Sequence, residues 1–166
     1  MGEGSGLYEN CLFCQIGKDP SRQFYANELF YAQFDKFPVS PGHVEVIPKR
    51  HVDELLDLNG TEWKMLKPTL EETLRIIKST DLRDLYEGFL KNPVNEKSVW
   101  LCQEMLDKPF LGNEIVDKNW GVNDGPAAGR TIHHLHIHLI PRFFGDVEDP
   151  RGGVRYVIPQ YANYKK

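Results

Sequence analysis

The chain has 166 residues, of which 40% are hydrophobic and 27% charged, and these proportions are typical of a globular protein with one sizeable core and exclude a disordered chain. The formal net charge of -4 argues against a general binder of nucleic-acid polymers, which usually carries a basic face. No run of residues is long and apolar enough to cross a membrane and no signal-peptide pattern is present, so we expect a cytoplasmic protein with reduced thiols.

Patterns of apolar residues predict strands towards both ends of the chain and helices in the middle. The predicted strands cover residues 29–34, 43–47, 119–122, 131–141 and 154–158. The predicted helices cover residues 61–78, 82–89 and 98–106, and Pro68 is expected to kink the first helix or delay its start. This order of elements predicts an α+β fold with an antiparallel sheet. Residues 1–10 are polar and glycine-rich and are expected to form a flexible tail, which leaves residues 11–166 as a single domain.

Four of the six residues from 133 to 138 are histidine. Side chains alternate across a strand, so His134, His136 and His138 share one face at intervals of about 7 Å, and His133 points the other way in a structural role. A neutral imidazole is a good nucleophile near pH 7, and a protonated one donates hydrogen bonds to phosphate oxygens, so the row is a candidate site for phosphoryl chemistry. Two other interpretations remain open, a solvated polar face and a metal site without catalysis.

A loop of small residues at 125–129 precedes this row. Small residues let backbone N–H groups approach an anion closely, and Asn123 and Thr131 would add an amide and a hydroxyl. Thr131 lies an odd number of residues before His134, so it reaches the site only if the strand begins after it or bulges there. A plain tight turn explains the loop equally well.

Cys11 and Cys14 have the spacing of metal ligands, but two cysteines complete only half of a tetrahedral site. His51 is a candidate third ligand, and one histidine of the row is a candidate fourth. Such a site would pin the N-terminal segment against the row. The alternative for His51 is a residue at the start of a helix with no role in metal binding. Cys102 is predicted to be a small buried side chain.

Residues 134–140 resemble the signature of the histidine triad (HIT) family, in which three histidines alternate with apolar residues. The resemblance runs from residue 11 to about residue 142, and its context includes Asp35 after a strand, an Ile-Pro-Lys-Arg-His run that ends at His51, and Asn-Asp-Gly at 123–125. It implies an antiparallel sheet of about five strands with helices on one side, usually paired into a homodimer. It also implies substrates of the form nucleoside-phosphate-X, with a preference for purines.

The resemblance further implies a role for each candidate residue. His136 would attack the α-phosphate and form a nucleotidyl-histidine that water then hydrolyses, while His138 would donate to a phosphate oxygen. The other implied contacts are Thr131 near the leaving group, Asn123 and Gly129 at the phosphate, Asp35 at the ribose hydroxyls, and Phe34 and Lys36 beside the base. Zinc-bearing members use ligands that correspond to Cys11, Cys14, His51 and His134. The zinc would then be structural, and His134 would support His136.

Together these features predict a nucleotide hydrolase that acts on a phosphoramidate, an acyl-nucleotide or a dinucleoside polyphosphate. A zinc-stabilised nucleotide-binding module with incidental activity would use the same pocket. Nucleotidyl transfer is a third alternative, but the transferase branch of the superfamily carries glutamine where this chain has His138, which favours hydrolysis. The choice of leaving group depends on residues outside the motif.

Overall fold

The fold consists of a five-stranded sheet with four α-helices, seen in a computed structural model that describes residues 10–163. The tail predicted at residues 1–10 therefore lies outside the described residues except for Asn10. The strands are β1 (Tyr25–Ala26), β2 (Phe30–Phe34), β3 (Val44–Pro48), β4 (Asp117–Gly121) and β5 (Ile137–Arg142). The helices are α1 (Leu12–Gly17), α2 (Gly60–Ser79), α3 (Leu82–Lys91) and α4 (Glu96–Leu106).

All neighbouring strands of the sheet are antiparallel, in the order β1-β2-β3-β5-β4. This confirms the predicted α+β class and the antiparallel sheet of five strands. The register places Gln33 of β2 opposite Glu45 of β3, and Glu45 opposite His138 of β5. Because side chains alternate across each strand, these three residues form one line across one face of the sheet.

The core lies on the opposite face of the sheet, under the three longer helices. One cluster joins strand residues such as Val44 and Leu139 to Ile77 of α2, Tyr86 of α3 and Cys102 of α4. Cys102 is buried there, as expected from the sequence. A second cluster joins α2 to the other half of the same face. Burying one such aliphatic or aromatic side chain contributes about 1.5–3 kcal/mol, so this face holds the helices in place.

The face of the sheet that carries Gln33, Glu45 and His138 is called the polar face below. One end of it is covered by α1, a helix that the sequence pattern did not predict. Phe13 and Ile16 of this short helix pack on Tyr31 and Ile47. The hydroxyl of Tyr31 also donates to the backbone carbonyl of Phe13 at 2.7 Å. The helix has only six residues, too few for a helical repeat to show in the sequence, and tertiary packing stabilises it.

The last strand begins later than the sequence predicted. Residues 131–136 are irregular, and pairing of β5 with β3 starts at Ile137, which lies opposite Val46. Before that point the N–H of Leu135 donates to the carbonyl of Val52 at 2.6 Å, beyond the end of β3. The chain therefore joins the ladder only over Ile137–Arg142.

The strand predicted at residues 154–158 is wrong, because Gly153–Val157 forms a 3-10 helix. Gly152 and Gly153 adopt φ values of +100° and +48°, which turn the chain before any strand could begin. A Cβ at Gly152 would lie 2.6 Å from the carbonyl oxygen of Ala162, so this turn also requires glycine for close packing.

Helix α2 starts well before Pro68 and continues beyond it, contrary to the expected delay. Its start is held by Asn59 and Glu62, whose side chains each accept from the other's backbone N–H. Proline removes only its own backbone hydrogen bond, which the capped and packed helix tolerates. Among the described helices, none combines the length and the apolar character that a membrane crossing requires.

Candidate active site and metal site

The three histidines of the row lie on the polar face of the sheet, one in a strand and two in an irregular segment. His138 lies in β5, whereas His134 and His136 lie in the irregular segment before it. The ring centroids of His136 and His138 are 4.9 Å apart, and Phe13 packs edge-on against His136 at 5.1 Å. His134 and His136 are buried and His138 is half-buried, so the row is not a solvated polar face.

The hydrogen bonding of His136 determines which of its ring nitrogens can react. Its Nδ1 lies 2.8 Å from the backbone carbonyl oxygen of His134, an atom that can only accept. In the neutral ring Nδ1 therefore carries the hydrogen, and Nε2 carries the lone pair. A nucleophilic imidazole requires such a lone pair, and the same carbonyl stabilises the positive charge that develops on the ring after attack.

Two further polar side chains, those of His43 and Asp35, contact His138 one after the other on the side of Nδ1. His138 Nδ1 lies 3.0 Å from His43 Nε2, and His43 Nδ1 lies 3.2 Å from Asp35 Oδ2. Burial lowers the pKa of His138 to about 4 and also lowers the pKa of His43, which Asp35 partly offsets. When His43 carries a hydrogen on Nε2, that nitrogen donates to His138 Nδ1. The hydrogen of neutral His138 then sits on Nε2, where it can be donated to an anion.

Two polar residues that the sequence analysis did not select lie on the same face. Gln33 Nε2 donates to Glu45 Oε2 at 2.7 Å, and burial is the main reason that the pKa of Glu45 rises to about 8. Strand alternation was the signal that could have found both residues. If Asp35 and His43 face the site, the side chains two positions away on each strand face it too.

Four candidate metal ligands meet where α1 approaches the segment before β5. The Sγ atoms of Cys11 and Cys14 lie 3.4 and 3.5 Å from His134 Nδ1. Cys14 Sγ lies 3.2 Å from His51 Nδ1. All four ligand atoms lie within 4.8 Å of one another, so the structure brings together the four residues that the sequence analysis selected.

The donor atoms of this cluster fit a tetrahedral zinc site. His134 Nε2 lies 2.8 Å from the carbonyl oxygen of Pro48. His51 Nε2 lies 3.4 Å from Asp53 Oδ1. Both partners are acceptors, so each Nε2 carries a hydrogen and each Nδ1 presents its lone pair to the thiols. Burial raises the pKa of the Cys14 thiol to about 11, an effect that a bound divalent cation would reverse. Two thiolates and two imidazoles are an ordinary ligand set for structural zinc.

The small-residue loop before the row has a conformation that depends on glycine. Gly129 has a φ of +94°, and a Cβ there would lie 4.0 Å from the side-chain nitrogen of Asn123, so these two residues are neighbours. The next residue, Arg130, donates to the carbonyl of Asp53 at 2.7 Å and ties the loop to the segment after His51. Thr131 is exposed and lies outside the ladder, in the irregular segment before β5.

Phe34 and Lys36 contact side chains on the helix side of the sheet, and their place beside a bound base stays a prediction. Phe34 is buried in the core under the helices, where its ring centroid lies 4.5 Å from that of Phe24. Lys36 Nζ lies 3.1 Å from the ring centroid of Phe89 in α3. Both residues neighbour Asp35 in the sequence, and the alternation that turns Asp35 towards His43 turns them the other way.

Comparison with known proteins gives a match to the family described as HIT domain over residues 17–145. The matched range contains His51 and the histidine row and begins after Cys11 and Cys14. A curated relative, adenylylsulfatase HINT3 of Arabidopsis thaliana, is 30% identical over 148 residues, which are 84% of this chain and 56% of the relative. A second, bis(5'-nucleosyl)-tetraphosphatase [asymmetrical] of Schizosaccharomyces pombe, is 32% identical over 129 residues, which are 78% of this chain and 53% of the relative.

The chain thus spans about half the length of these curated relatives. Among solved structures, a HIT family protein from Bacillus anthracis is similar, with a TM-score of 0.55 and 26% sequence identity. That likeness covers 83% of this chain and 77% of the other.

Proposed function

The chain belongs to the HIT family, and from that membership we propose that it is a nucleotide hydrolase that works through a covalent nucleotidyl-histidine on His136. The observation that carries the proposal is the hydrogen bond from His136 Nδ1 to the carbonyl oxygen of His134, which leaves a lone pair on Nε2. A buried imidazole held in that tautomer beside a second imidazole suits nucleophilic attack on a phosphate.

In the first step His136 Nε2 attacks the α-phosphorus of a nucleoside-phosphate-X substrate. The bond from Nε2 to phosphorus forms, and the bond from phosphorus to X breaks, with its electron pair leaving on X, which takes up a proton from solvent when X is an amine. In the second step water attacks the same phosphorus, the bond to Nε2 breaks, and the nucleoside monophosphate departs. The proton of the water passes to solvent, and His136 returns to its neutral form.

The surrounding residues hold the phosphate and the nucleoside in this proposal. His138 donates from Nε2 to a phosphate oxygen, supported by the chain through His43 to Asp35. Asp35 also accepts from the ribose hydroxyls with its remaining lone pairs. Asn123 and Gly129 contact the phosphate from the loop, and Thr131 lies near the leaving group at the exposed edge of the site.

The proposed substrates are purine nucleotides that carry a phosphoramidate, an acyl-type or a polyphosphate leaving group. The similarity to relatives named as an adenylylsulfatase and an asymmetrical bis(5'-nucleosyl)-tetraphosphatase supports this class. Those relatives differ in the group that departs, so the leaving group is the property that a substrate panel must determine. We also propose that the protein forms a homodimer and that it acts in the cytoplasm.

The proposal also assigns a structural zinc ion to Cys11, Cys14, His51 and His134. When bound, zinc would cross-link the N-terminal segment to the segment before β5, with all four coordination positions filled by protein. It would take no part in the bond-breaking step. Its effect on the reaction would be to fix the backbone of His134, whose carbonyl orients His136.

Covalent trapping tests the proposal. The purified protein is incubated with adenosine phosphoramidate, adenylyl sulfate and diadenosine tetraphosphate in turn, each labelled at the α-phosphate, and is quenched in base, which preserves phosphoramidates. Peptide mass spectrometry should find the label on His136, with release of labelled AMP in parallel reactions. Nucleotide binding without any label or AMP would identify a binding module, and label on another residue would refute the assignment to His136.

A further inference from the structure

Glu45 brings a carboxyl group to the two histidines of the proposed reaction. It lies opposite His138 in the β3–β5 register, and its side chain is only 8% exposed. One carboxylate oxygen of Glu45 and one ring nitrogen each of His136 and His138 lie within 4.8 Å of one another. Two atoms bound to one Zn²⁺ lie at most about 4.2 Å apart, so small side-chain rotations would bring all three onto one ion.

Each of these three groups already makes a hydrogen bond with another residue. His136 Nδ1 is bound to the carbonyl of His134, and His138 Nδ1 is bound to His43. The hydrogen on His136 Nδ1 leaves the lone pair on Nε2 of that ring. In His138, Nε2 carries a lone pair when Nδ1 carries the hydrogen and donates it to His43 Nε2, which is the reverse of the direction in which His138 donates to an anion. Gln33 Nε2 donates to Glu45 Oε2 and orients the carboxyl group. Such supporting hydrogen bonds are a general property of metal sites, where they orient the ligands.

The charge around Glu45 also favours a cation at this place. The polar residues around it on the face are Gln33, Asp35, His43, His136 and His138, and none of these described residues is a permanent cation. A divalent ion there would supply a positive charge beside the carboxyl group.

We infer that Glu45, His136 and His138 form a second metal site, which binds a divalent transition-metal ion such as Zn²⁺ and keeps one coordination position open. Two imidazoles and one carboxylate are ligands that Zn²⁺ accepts in sites of this open kind. The ion uses the lone pair of His136 Nε2, so nucleotide and metal compete for the site. This competition rests on the proposed function, whereas the binding of the metal does not.

A neighbouring set of ligands, Asp35, His43 and His138, is also close enough to meet one ion. In that set His43 Nε2 lies 3.0 Å from His138 Nδ1, whereas His43 Nδ1 lies 3.2 Å from Asp35 Oδ2 without making a hydrogen bond. A metal bound there would compete with the hydrogen bond between His43 and His138. A metal bound by the set with Glu45 keeps that hydrogen bond intact, and for that reason we select Glu45.

Metal stoichiometry tests the inference without any measurement of turnover. The protein is dialysed to equilibrium against micromolar Zn²⁺, and bound zinc is counted by mass spectrometry of the metal. The wild-type chain should hold two zinc ions, Glu45→Gln should hold one, and the exposed control Glu28→Gln should hold two. Adding AMP should displace one ion from the wild type. In assays, added zinc should inhibit the wild type and Glu28→Gln, and the concentration for half-inhibition should rise about 10- to 100-fold in Glu45→Gln.

A wild-type chain that holds only one zinc ion overturns the inference, even if Glu45→Gln fails to fold. Loss of the second ion in Asp35→Asn, with its retention in Glu45→Gln, overturns the choice of ligands. The two proposals fail separately. Two bound zinc ions in a protein that forms no adduct would leave the metal site standing and refute the hydrolase, and an adduct on His136 with one bound zinc ion would do the reverse.

Discussion

His136 donates the hydrogen on Nδ1 to the backbone carbonyl oxygen of His134 across 2.8 Å. The ring of His134 faces Cys11 and Cys14, so a single residue contributes its side chain to the metal cluster and its carbonyl to the proposed nucleophile. A change that shifts the backbone of His134 therefore affects both the metal cluster and the group that determines the tautomer of His136.

Cys14→Ala should lose the structural metal and lower turnover as well as thermal stability. The remaining three ligands hold zinc weakly, and the freed His134 no longer orients His136. Metal analysis, thermal melting and kcat measure the three effects. Leu12→Ala is the control, since Leu12 lies between the cysteines and is 44% exposed. Stoichiometric zinc retained by Cys14→Ala would contradict the assigned ligand set.

His136→Ala should abolish turnover, by about 10³-fold or more, while nucleotide binding survives. The variant removes the atom that forms the covalent bond but leaves His138 and the loop contacts in place. Calorimetry of AMP binding and a kcat measurement with the best substrate of the panel separate the two effects. His133→Ala is the matched control, because His133 is a near neighbour in the sequence but is exposed. Normal turnover by His136→Ala would refute the role of nucleophile.

His43→Gln and Asp35→Asn should each lower kcat, by about 10²-fold for the loss of an oriented donor at His138. Since the three groups act as one chain, the double variant should be no slower than the slower single variant. Measuring kcat for the four proteins of the cycle gives the coupling directly. Additive losses would show that Asp35 and His43 act independently.

Glu62→Gln should lower the free energy of unfolding by about 1–3 kcal/mol at pH 7. Arg50 donates to both carboxylate oxygens of buried Glu62, at 2.9 and 2.7 Å, and this hydrogen bonding holds the pKa of Glu62 below its usual value. A lowered pKa in the folded state means that the stabilisation is present above the unfolded pKa of about 4.3 and is lost as the pH falls below it. Urea unfolding of both proteins should therefore show a difference at pH 7 that shrinks by pH 3. A difference that does not depend on pH would exclude the ionised pair as its source.

The helices and strands with clear periodicity could be predicted from the sequence, and those that depend on tertiary contacts could not. Residues 61–78 and 43–47 carry repeating apolar positions, and α2 and β3 lie there. The segment 131–136 reads as strand from its alternation alone. Its backbone instead follows the contact between Leu135 and Val52, which no local pattern encodes.

The sequence alone determined which chemical groups are available, since the alternating histidines and the paired cysteines are local patterns with few other uses. It also selected Cys11, Cys14 and His51 as candidate zinc ligands, to which the family resemblance added His134, and the structure brings all four within reach of one another. Only the tertiary structure decided how those groups are connected. Glu45 meets His138 because of the register between β3 and β5, and the His136 tautomer depends on how its ring meets the carbonyl of His134. These relations depend on how separate segments pack and how the chain bends between them, and no local sequence pattern reveals that geometry.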